Sequence, residues 1–222
     1  MIYTILLFDL DGTLTNPKEG ITKSVQAGLA AVGINAADAE ELTSFIGPPL
    51  ADSFRDQYGL GPEEIETAIR GFRARFERVG LFENEVLPGT AEMLADLKQH
   101  GRRLAIASSK PEPFVKRILE HYELAQYFET AVGATMDEKH CAKSDMIAEA
   151  LRRLHVSEKE RSQVLMIGDR RHDVEGAAQQ GLPCLGIYSG FGPEGELEEA
   201  GAIHVVQTIP EMHAWLMQEE TV

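Results

Sequence analysis

Two aspartates, one residue apart, directly follow an apolar run near the start of the chain. Residues 5–15 read ILLFDLDGTLT, so one leucine separates Asp9 from Asp11, and Gly12 comes next. Like charges repel at this spacing, and apolar surroundings tolerate neither carboxylate alone. A bound cation, or a reaction that needs two carboxyl groups, is the best explanation for such a pair.

Two later apolar runs also end in polar side chains. AIASSKP carries Ser108 and Lys110, and LMIGDRRHD carries Asp169 and Asp173. A third candidate, Lys143, opens the segment KSDMIAEALRRL. Carboxylates gathered in one place need balancing cations, and Mg²⁺ prefers hard oxygen ligands of this kind. The two lysines are candidates for the remaining positive charge.

The elements that must position these residues alternate along the second part of the chain. RLAIAS, TAVGA, VLMIGD and PCLGIY read as strands, with helical stretches near 111–121, 143–154 and 173–180. Together with a first strand over residues 3–8, this alternation predicts a parallel sheet covered on both faces. Ligands bind at the carboxyl ends of such strands, so neighbouring strands would bring the polar residues together.

The segment between the first strand and the others has only helical periodicity. Apolar residues recur at helical spacing from about Thr15 to Phe82. We therefore expect an α/β fold in which a Rossmann-like parallel sheet core, residues 1–14 and 86–222, carries a small α-helical domain inserted at residues 15–85.

Composition excludes several classes of partner. The 222 residues include 36 acidic and 21 basic side chains, giving a net charge of −15. This charge disfavours nucleic acid polymers and anionic membranes, although a fixed cation would still permit a small anionic substrate. Two cysteines, a short N-terminal apolar run and no bilayer-length apolar segment favour a cytoplasmic protein.

DLDGT, IASSK, a lysine that opens a helix, and GDRRHD resemble, in that order, the four motifs of the haloacid dehalogenase-like hydrolase superfamily. More narrowly, the chain resembles the phosphoglycolate phosphatase-like and 5′-nucleotidase-like members with a helical cap. The resemblance extends over essentially the whole chain, including LPGTAEMLADLK after the insertion. It implies an Mg²⁺-dependent phosphatase that hydrolyses a small phosphomonoester, of the phosphoglycolate or 5′-nucleotide type, through an aspartyl-phosphate.

The resemblance also implies roles for the two opening aspartates. Asp9 would be the nucleophile that attacks phosphorus. Asp11 would protonate the leaving oxygen and then activate water. The pair is needed because the two acids have different tasks.

The remaining motif residues would bind the metal and the phosphoryl group. The resemblance assigns Mg²⁺ to the Asp9 carboxylate, the Asp11 backbone carbonyl and the Asp169 carboxylate, with Asp173 supporting the site. It assigns the phosphoryl oxygens to Ser108 and Lys143, and it places Gly12 at a sharp turn beside the phosphate. Two alternatives stay open: Ser108 could cap the following helix, and Lys110 could be the phosphate-binding lysine.

Specificity is predicted in the turn SFIGPPL, residues 44–50. Gly47 is followed by two prolines, which makes a stiff corner that no helix can continue through. The resemblance implies that this turn, with Phe45 and Ile46, touches the leaving group of the substrate. The alternative is a plain interhelical turn.

Three other functions are alternatives to a phosphatase. A dehalogenase would not need Asp11. A β-phosphoglucomutase-like sugar-phosphate mutase would lead us to expect a histidine near position 21, where this chain has Ile21. A receiver-type phosphoacceptor would lack the helical insertion. The sequence leaves open which phosphomonoester is cleaved and the oligomeric state.

Overall fold

The structure is a computed structural model and describes residues 3–35, 38–136, 141–188 and 191–218. The strands in these ranges, in chain order, are β1 (Ile5–Phe8), β2 (Thr15–Asn16), β3 (Glu85–Val86), β4 (Arg103–Pro111), β5 (Thr130–Ala134), β6 (Val164–Gly168), β7 (Cys184–Ile187) and β8 (His204–Val206).

The α-helices in the same ranges, in chain order, are α1 (Lys18–Ala31), α2 (Leu50–Tyr58), α3 (Pro62–Phe76), α4 (Thr90–Gln99), α5 (Glu112–His121), α6 (Lys143–Arg153), α7 (Arg171–Gln179), α8 (Glu196–Ala200) and α9 (Ile209–Gln218). The longest 3₁₀ segment is Ala39–Phe45.

Six strands form one parallel sheet in the order β5-β4-β1-β6-β7-β8. The chain leaves β1 toward β4 and β5 on one side, and later returns to β6, β7 and β8 on the other. The strand order therefore changes direction at β1, which is where a parallel α/β sheet opens a ligand crevice at its carboxyl edge. This confirms the predicted fold class.

β1 is buried on both faces, as a central parallel strand requires. All four of its side chains are at most 1% exposed. Ile5 and Leu7 belong to a core cluster that also contains Ile147 of α6 and Val174 of α7. The helices that follow β5 and β6 are thus packed onto the sheet beside the strand that ends in Asp9.

The chain divides into two compact units, Met1–Thr15 with Val86–Val222, and Asn16–Glu85. The sheet belongs to the first unit. Within the second, α1 packs on α3 through glycines: a Cβ at Gly28 would lie 2.7 Å from the Ala68 carbonyl oxygen, and one at Gly71 would lie 2.9 Å from the Ala31 Cβ.

A search of the described residues for a helix that is long and apolar enough to cross a bilayer finds none.

Candidate active site

The strands that end in the three polar motifs are neighbours. β1 lies between β4 and β6, with Phe8 opposite Ile106 on one side and Ile167 on the other. The backbone N–H of Asp9 donates to the Ile167 carbonyl, 2.9 Å away, so the chain is still in register where the carboxylates begin. The predicted convergence at one edge of the sheet is confirmed.

Three carboxylates meet at this edge. Asp9, Asp169 and Asp173 each place one oxygen within 4.8 Å of the others. Asp169 follows β6 and Asp173 lies in the first turn of α7, and both residues are at most 3% exposed. Such a set offers hard oxygen ligands and strong mutual repulsion, which together favour a divalent cation.

Lys143 lies between two of these acids. Its Nζ is 2.9 Å from Asp9 Oδ1 and 2.8 Å from Asp173 Oδ1, and it donates to the Ala107 carbonyl at 3.0 Å. Burial favours the neutral amine, but the attraction of Asp173 and Asp9 outweighs it and raises the pKa of Lys143 above its usual value. The lysine therefore stays charged. Gly176 lets α7 approach it, since a Cβ there would lie 2.9 Å from the Lys143 Cβ.

Lys110 forms a separate ion pair with Asp11. Its Nζ contacts Asp11 Oδ2, and the two side chains are 7% and 13% exposed. Burial raises the pKa of Asp11 above its usual value; the Lys110 ammonium opposes this rise and the negative charge of Asp9 adds to it. A carboxyl group with a raised pKa is suited to carry a proton in catalysis.

Ser108 is 2% exposed and lies in the irregular last part of β4, where the register with β5 shifts between Ala107 and Pro111. Its Oγ accepts a hydrogen bond from the Lys110 N–H at 3.4 Å. Helix α5 begins at Glu112 after Pro111, with no side-chain hydrogen bond at its cap. Ser108 therefore does not cap helix α5, which was the alternative hypothesis for this residue.

Two glycines let the acidic side chains sit against the backbone. Gly12 has φ +83°, and a Cβ on it would fall 2.1 Å from Asp169 Oδ2. A Cβ on Gly168 would fall 2.2 Å from the Asp173 Cγ. No side chain fits at either position without displacing a carboxylate.

Gly12→Ala is expected to lower kcat/KM by much more than the accompanying loss of stability can explain. The change places a Cβ on a residue in the left-handed backbone conformation, which destabilises the fold by about 1–2 kcal/mol. The clash of this Cβ with Asp169 adds about 1–3 kcal/mol unless Asp169 moves. Either response disturbs the acidic cluster. Thermal unfolding and kcat/KM would be measured together.

Gly101→Ala is the matched control, because Gly101 has φ +76° and no described atom within 4 Å of its Cβ position. This variant carries the backbone strain without the crowding. Equal losses of activity in the two variants would contradict the assignment of Gly12 to the site.

Thr13 and Glu196 also contact the site region, and the sequence interpretation missed both. Thr13 Oγ1 donates to Asp169 Oδ1 at 3.4 Å. Glu196 Oε1 accepts from the Arg171 N–H at 2.8 Å and from Arg170 Nε at 3.1 Å, just beyond Asp169. Thr13 could have been found from the DGT motif, but no pattern links Glu196 to a motif 25 residues before it.

The residues present fit a divalent metal ion. Asp9, Asp11, Asp169 and Asp173 carry four negative charges when ionised, against two positive charges on Lys110 and Lys143. The carboxylates outnumber the lysines by two, and all the candidate ligands are oxygens of the kind that Mg²⁺ prefers.

The three residues predicted to set specificity lie in the second unit. Phe45 and Ile46 are each 1% exposed, and the Phe45 ring packs edge-on against Phe54 with centroids 5.1 Å apart. Gly47 is exposed, with φ +103°. Their role in specificity stays a prediction.

A family model of haloacid dehalogenase-like hydrolases matches residues 6–187, and the chain belongs to this family. The match covers the first strand from Leu6 onward, the inserted helices and the four motifs. The resemblance inferred from the four motifs is thereby confirmed.

Several similar proteins carry phosphatase or nucleotidase names, and others carry hydrolase or kinase names. A 5′-nucleotidase from Pseudomonas aeruginosa is 40% identical, over 91% of this chain and 90% of that protein. A crystal structure of a predicted phosphatase from Clostridium acetobutylicum has a TM-score of 0.92 and 42% identity, covering 98% of this chain and 100% of that one. The tyrosine-protein kinase PtkA of Mycobacterium tuberculosis is 38% identical over 85% of this chain, which spans 63% of that protein. The family and the phosphatase names support a phosphatase.

Proposed function

We propose that the protein is an Mg²⁺-dependent phosphatase that hydrolyses a small phosphomonoester through an aspartyl-phosphate on Asp9. The observation that carries this proposal is the arrangement at the carboxyl edge of β1, β4 and β6, where Asp9 lies 2.9 Å from a buried lysine and within 4.8 Å of two further carboxylates. A structural ion pair would not need four acids for two lysines.

Asp9 is the nucleophile. Its carboxylate attacks phosphorus, and the bond from phosphorus to the leaving oxygen breaks as the new bond to Asp9 forms. The Leu10 N–H, 2.8 Å from Asp9 Oδ1, and the Lys143 ammonium hold this carboxylate in one orientation. Orientation matters because phosphoryl transfer needs the attacking and leaving oxygens in line.

Asp11 moves the proton in both halves of the reaction. It gives a proton to the leaving oxygen in the first half. In the second half it takes a proton from the water that attacks the aspartyl-phosphate, and inorganic phosphate and free Asp9 result. Each turnover therefore restores the starting state of Asp11.

The phosphoryl oxygens are held by Ser108 and Lys143. Ser108 is buried near the end of β4. Lys143 is also buried, and it donates to the carbonyl of Ala107, the residue before Ser108. The Asp9 and Asp169 carboxylates and the Asp11 carbonyl would hold Mg²⁺, with Asp173 supporting from α7. When bound, the ion reduces the repulsion between the anionic nucleophile and the anionic phosphoryl group.

The substrate class we favour is a 5′-nucleotide, since a 5′-nucleotidase is 40% identical over nine-tenths of the chain. Phosphoglycolate, which the motif resemblance also implies, is the alternative within the same mechanism. The test is a panel of phosphomonoesters assayed with Mg²⁺ and ranked by kcat/KM. A panel in which no phosphomonoester releases phosphate would refute the proposal.

The second unit is proposed to act as the cap that reads the leaving group, through Phe45, Ile46 and Gly47. Ile46→Ala is expected to change the ranking of phosphomonoesters by kcat/KM more than the rate at which a preformed phosphoenzyme loses phosphate. The reason is that the leaving group has departed before the second step. Both rates are measurable by quenched-flow.

Phe54→Leu is the control for the Ile46 variant, because Phe54 is buried outside the turn and packs against Phe45, the neighbour of Ile46 in sequence. If both variants lower kcat/KM by the same factor for every substrate, residues 44–50 contribute to folding of the second unit and not to specificity.

The kinase-named relative favours a second candidate, transfer of the phosphoryl group to a hydroxyl instead of water. The first half of the reaction would be the same, and only the acceptor would differ. Incubation with a phosphomonoester labelled in its phosphoryl group and a tyrosine peptide separates the two: label in inorganic phosphate supports the phosphatase, and label in the peptide supports the transferase.

A further inference from the structure

The Lys110–Asp11 ion pair is not used by the mechanism above. Both side chains are nearly buried, and Lys110 Nζ contacts Asp11 Oδ2. Lys110 lies in the irregular end of β4, where the strand has lost its register with β5. An ammonium group buried there requires a carboxylate close by.

The two lysines of the site serve different acids. Lys143 contacts Asp9 Oδ1, Asp173 Oδ1 and the Ala107 carbonyl. Lys110 contacts Asp11 Oδ2. The acid that must exchange a proton is thus fixed by a residue separate from the one that fixes the nucleophile.

The two oxygens of Asp11 have different surroundings. Oδ2 accepts from Lys110, whereas Oδ1 is buried with no hydrogen-bond partner among the described residues. An ammonium group only donates, so an oxygen bonded to it is a poor place for a proton. When Asp11 is the acid, its proton therefore belongs on Oδ1.

We infer that Lys110 is a positioning residue that fixes Asp11 through Oδ2, so that Oδ1 is the oxygen that exchanges the proton. This rests on the proposed acid role of Asp11. The proton on Oδ1 passes to the leaving oxygen as the bond from that oxygen to phosphorus breaks. It is replaced from the water that attacks the aspartyl-phosphate. Lys110 touches neither the phosphoryl group nor the leaving group in this scheme.

The test compares leaving groups of similar shape. Phenyl phosphate needs its leaving oxygen protonated, whereas p-nitrophenolate leaves readily without a proton. With Lys110→Met in excess over substrate, release of phenol is expected to slow by about tenfold more than release of p-nitrophenol, a part of the 10²–10⁴-fold that proton transfer contributes. Lys110→Arg, which keeps the charge and the donors, should recover part of the loss.

Three comparisons make the result decisive. Lys116→Met, at an exposed lysine of α5 paired with Glu112, should leave both rates unchanged. Asp11→Asn should show a leaving-group difference in the same direction as Lys110→Met, and a larger one, because it removes the acid itself. Competitive inhibition by inorganic phosphate should weaken in Lys143→Met but not in Lys110→Met.

The inference and the proposed function fail in different ways. If Asp11→Asn slows both substrates equally, Asp11 is not the acid, and the proposed mechanism fails together with the role of Lys110. If Asp11→Asn shows the difference but Lys110→Met and Lys110→Gln do not, only the inference is overturned. Equal loss on both substrates with weaker phosphate inhibition in Lys110→Met would make Lys110 the phosphate-binding lysine.

Discussion

Asp9→Asn is expected to abolish phosphate release from every phosphomonoester while the protein stays folded. An amide is a poor nucleophile for phosphorus, so no aspartyl-phosphate forms and no other residue replaces it. The loss should be much larger than for Asp11→Asn, because proton transfer alone contributes about 10²–10⁴-fold. Steady-state phosphate release and intact-mass detection of the phosphoenzyme would be measured.

The fold should tolerate this change for an electrostatic reason. The cluster has two more carboxylates than lysines, so the amide removes one excess negative charge. Lys143 keeps Asp173 at 2.8 Å and the Ala107 carbonyl at 3.0 Å, so its ammonium is not left unpaired. We therefore expect no drop in the thermal midpoint measured with EDTA.

Asp56→Asn is a suitable control, since that side chain is 65% exposed and lies in the second unit. It should keep full activity. Sustained turnover by pure Asp9→Asn, confirmed by mass to contain no aspartate at position 9, would exclude the proposed nucleophile.

The sheet was predictable because its signals are local. Each strand is a short apolar run followed by a helix, and TAVGA matches β5 residue for residue. The convergence of the motifs was also predictable, because parallel strands present their carboxyl ends at one edge. The convergence also depends on β4, β1 and β6 being neighbours in the sheet, and the structure has that order.

The pairing of the two lysines could not be predicted, because it depends on backbone irregularity. In a regular continuation of β4, Ser108 and Lys110 would lie on the same face of the strand. That pattern does not indicate which acid either side chain would contact. The register with β5 shifts between Ala107 and Pro111, so β4 does not continue regularly through these residues. Lys143 contacts Asp9 from the start of α6, which α7 approaches closely at Gly176. Neither feature has a periodic signal in the sequence.

The short last strand was not predicted either. β8 has three residues, and its first, His204, is exposed. An edge strand of this length has neither the alternation nor the apolar run that marks a strand in sequence. It is defined by its pairing with β7, which is a tertiary contact.

Mg²⁺ is expected to be essential for activity and to stabilise the folded protein. Removing the ion with EDTA should abolish turnover, and adding Mg²⁺ back should restore it. Without the ion, the carboxylates of the cluster, which outnumber its lysines, repel one another in a buried site. A ligand that binds only the folded state adds about 2.7 kcal/mol of stability at 100 times its Kd. The thermal midpoint should therefore rise with Mg²⁺ concentration, without any substrate.

Asp169→Ala should separate this effect from general ionic strength. Asp169 is buried, lies within 4.8 Å of Asp9 and Asp173, and accepts a hydrogen bond from Thr13. Its loss should remove both the activity and the rise of the thermal midpoint with Mg²⁺. Asp56→Ala should keep both, because Asp56 lies in the second unit, outside the cluster.

Ca²⁺ tests the geometry of the same site. It favours more oxygen ligands at longer distances than Mg²⁺, so it should occupy the cluster and stabilise the fold while inhibiting turnover. Stabilisation with inhibition would indicate a site whose charge accepts either ion but whose chemistry needs the smaller one. Full activity after exhaustive dialysis against EDTA, or an equal rise of the midpoint in Asp169→Ala, would show that the four carboxylates are balanced by something other than a metal ion.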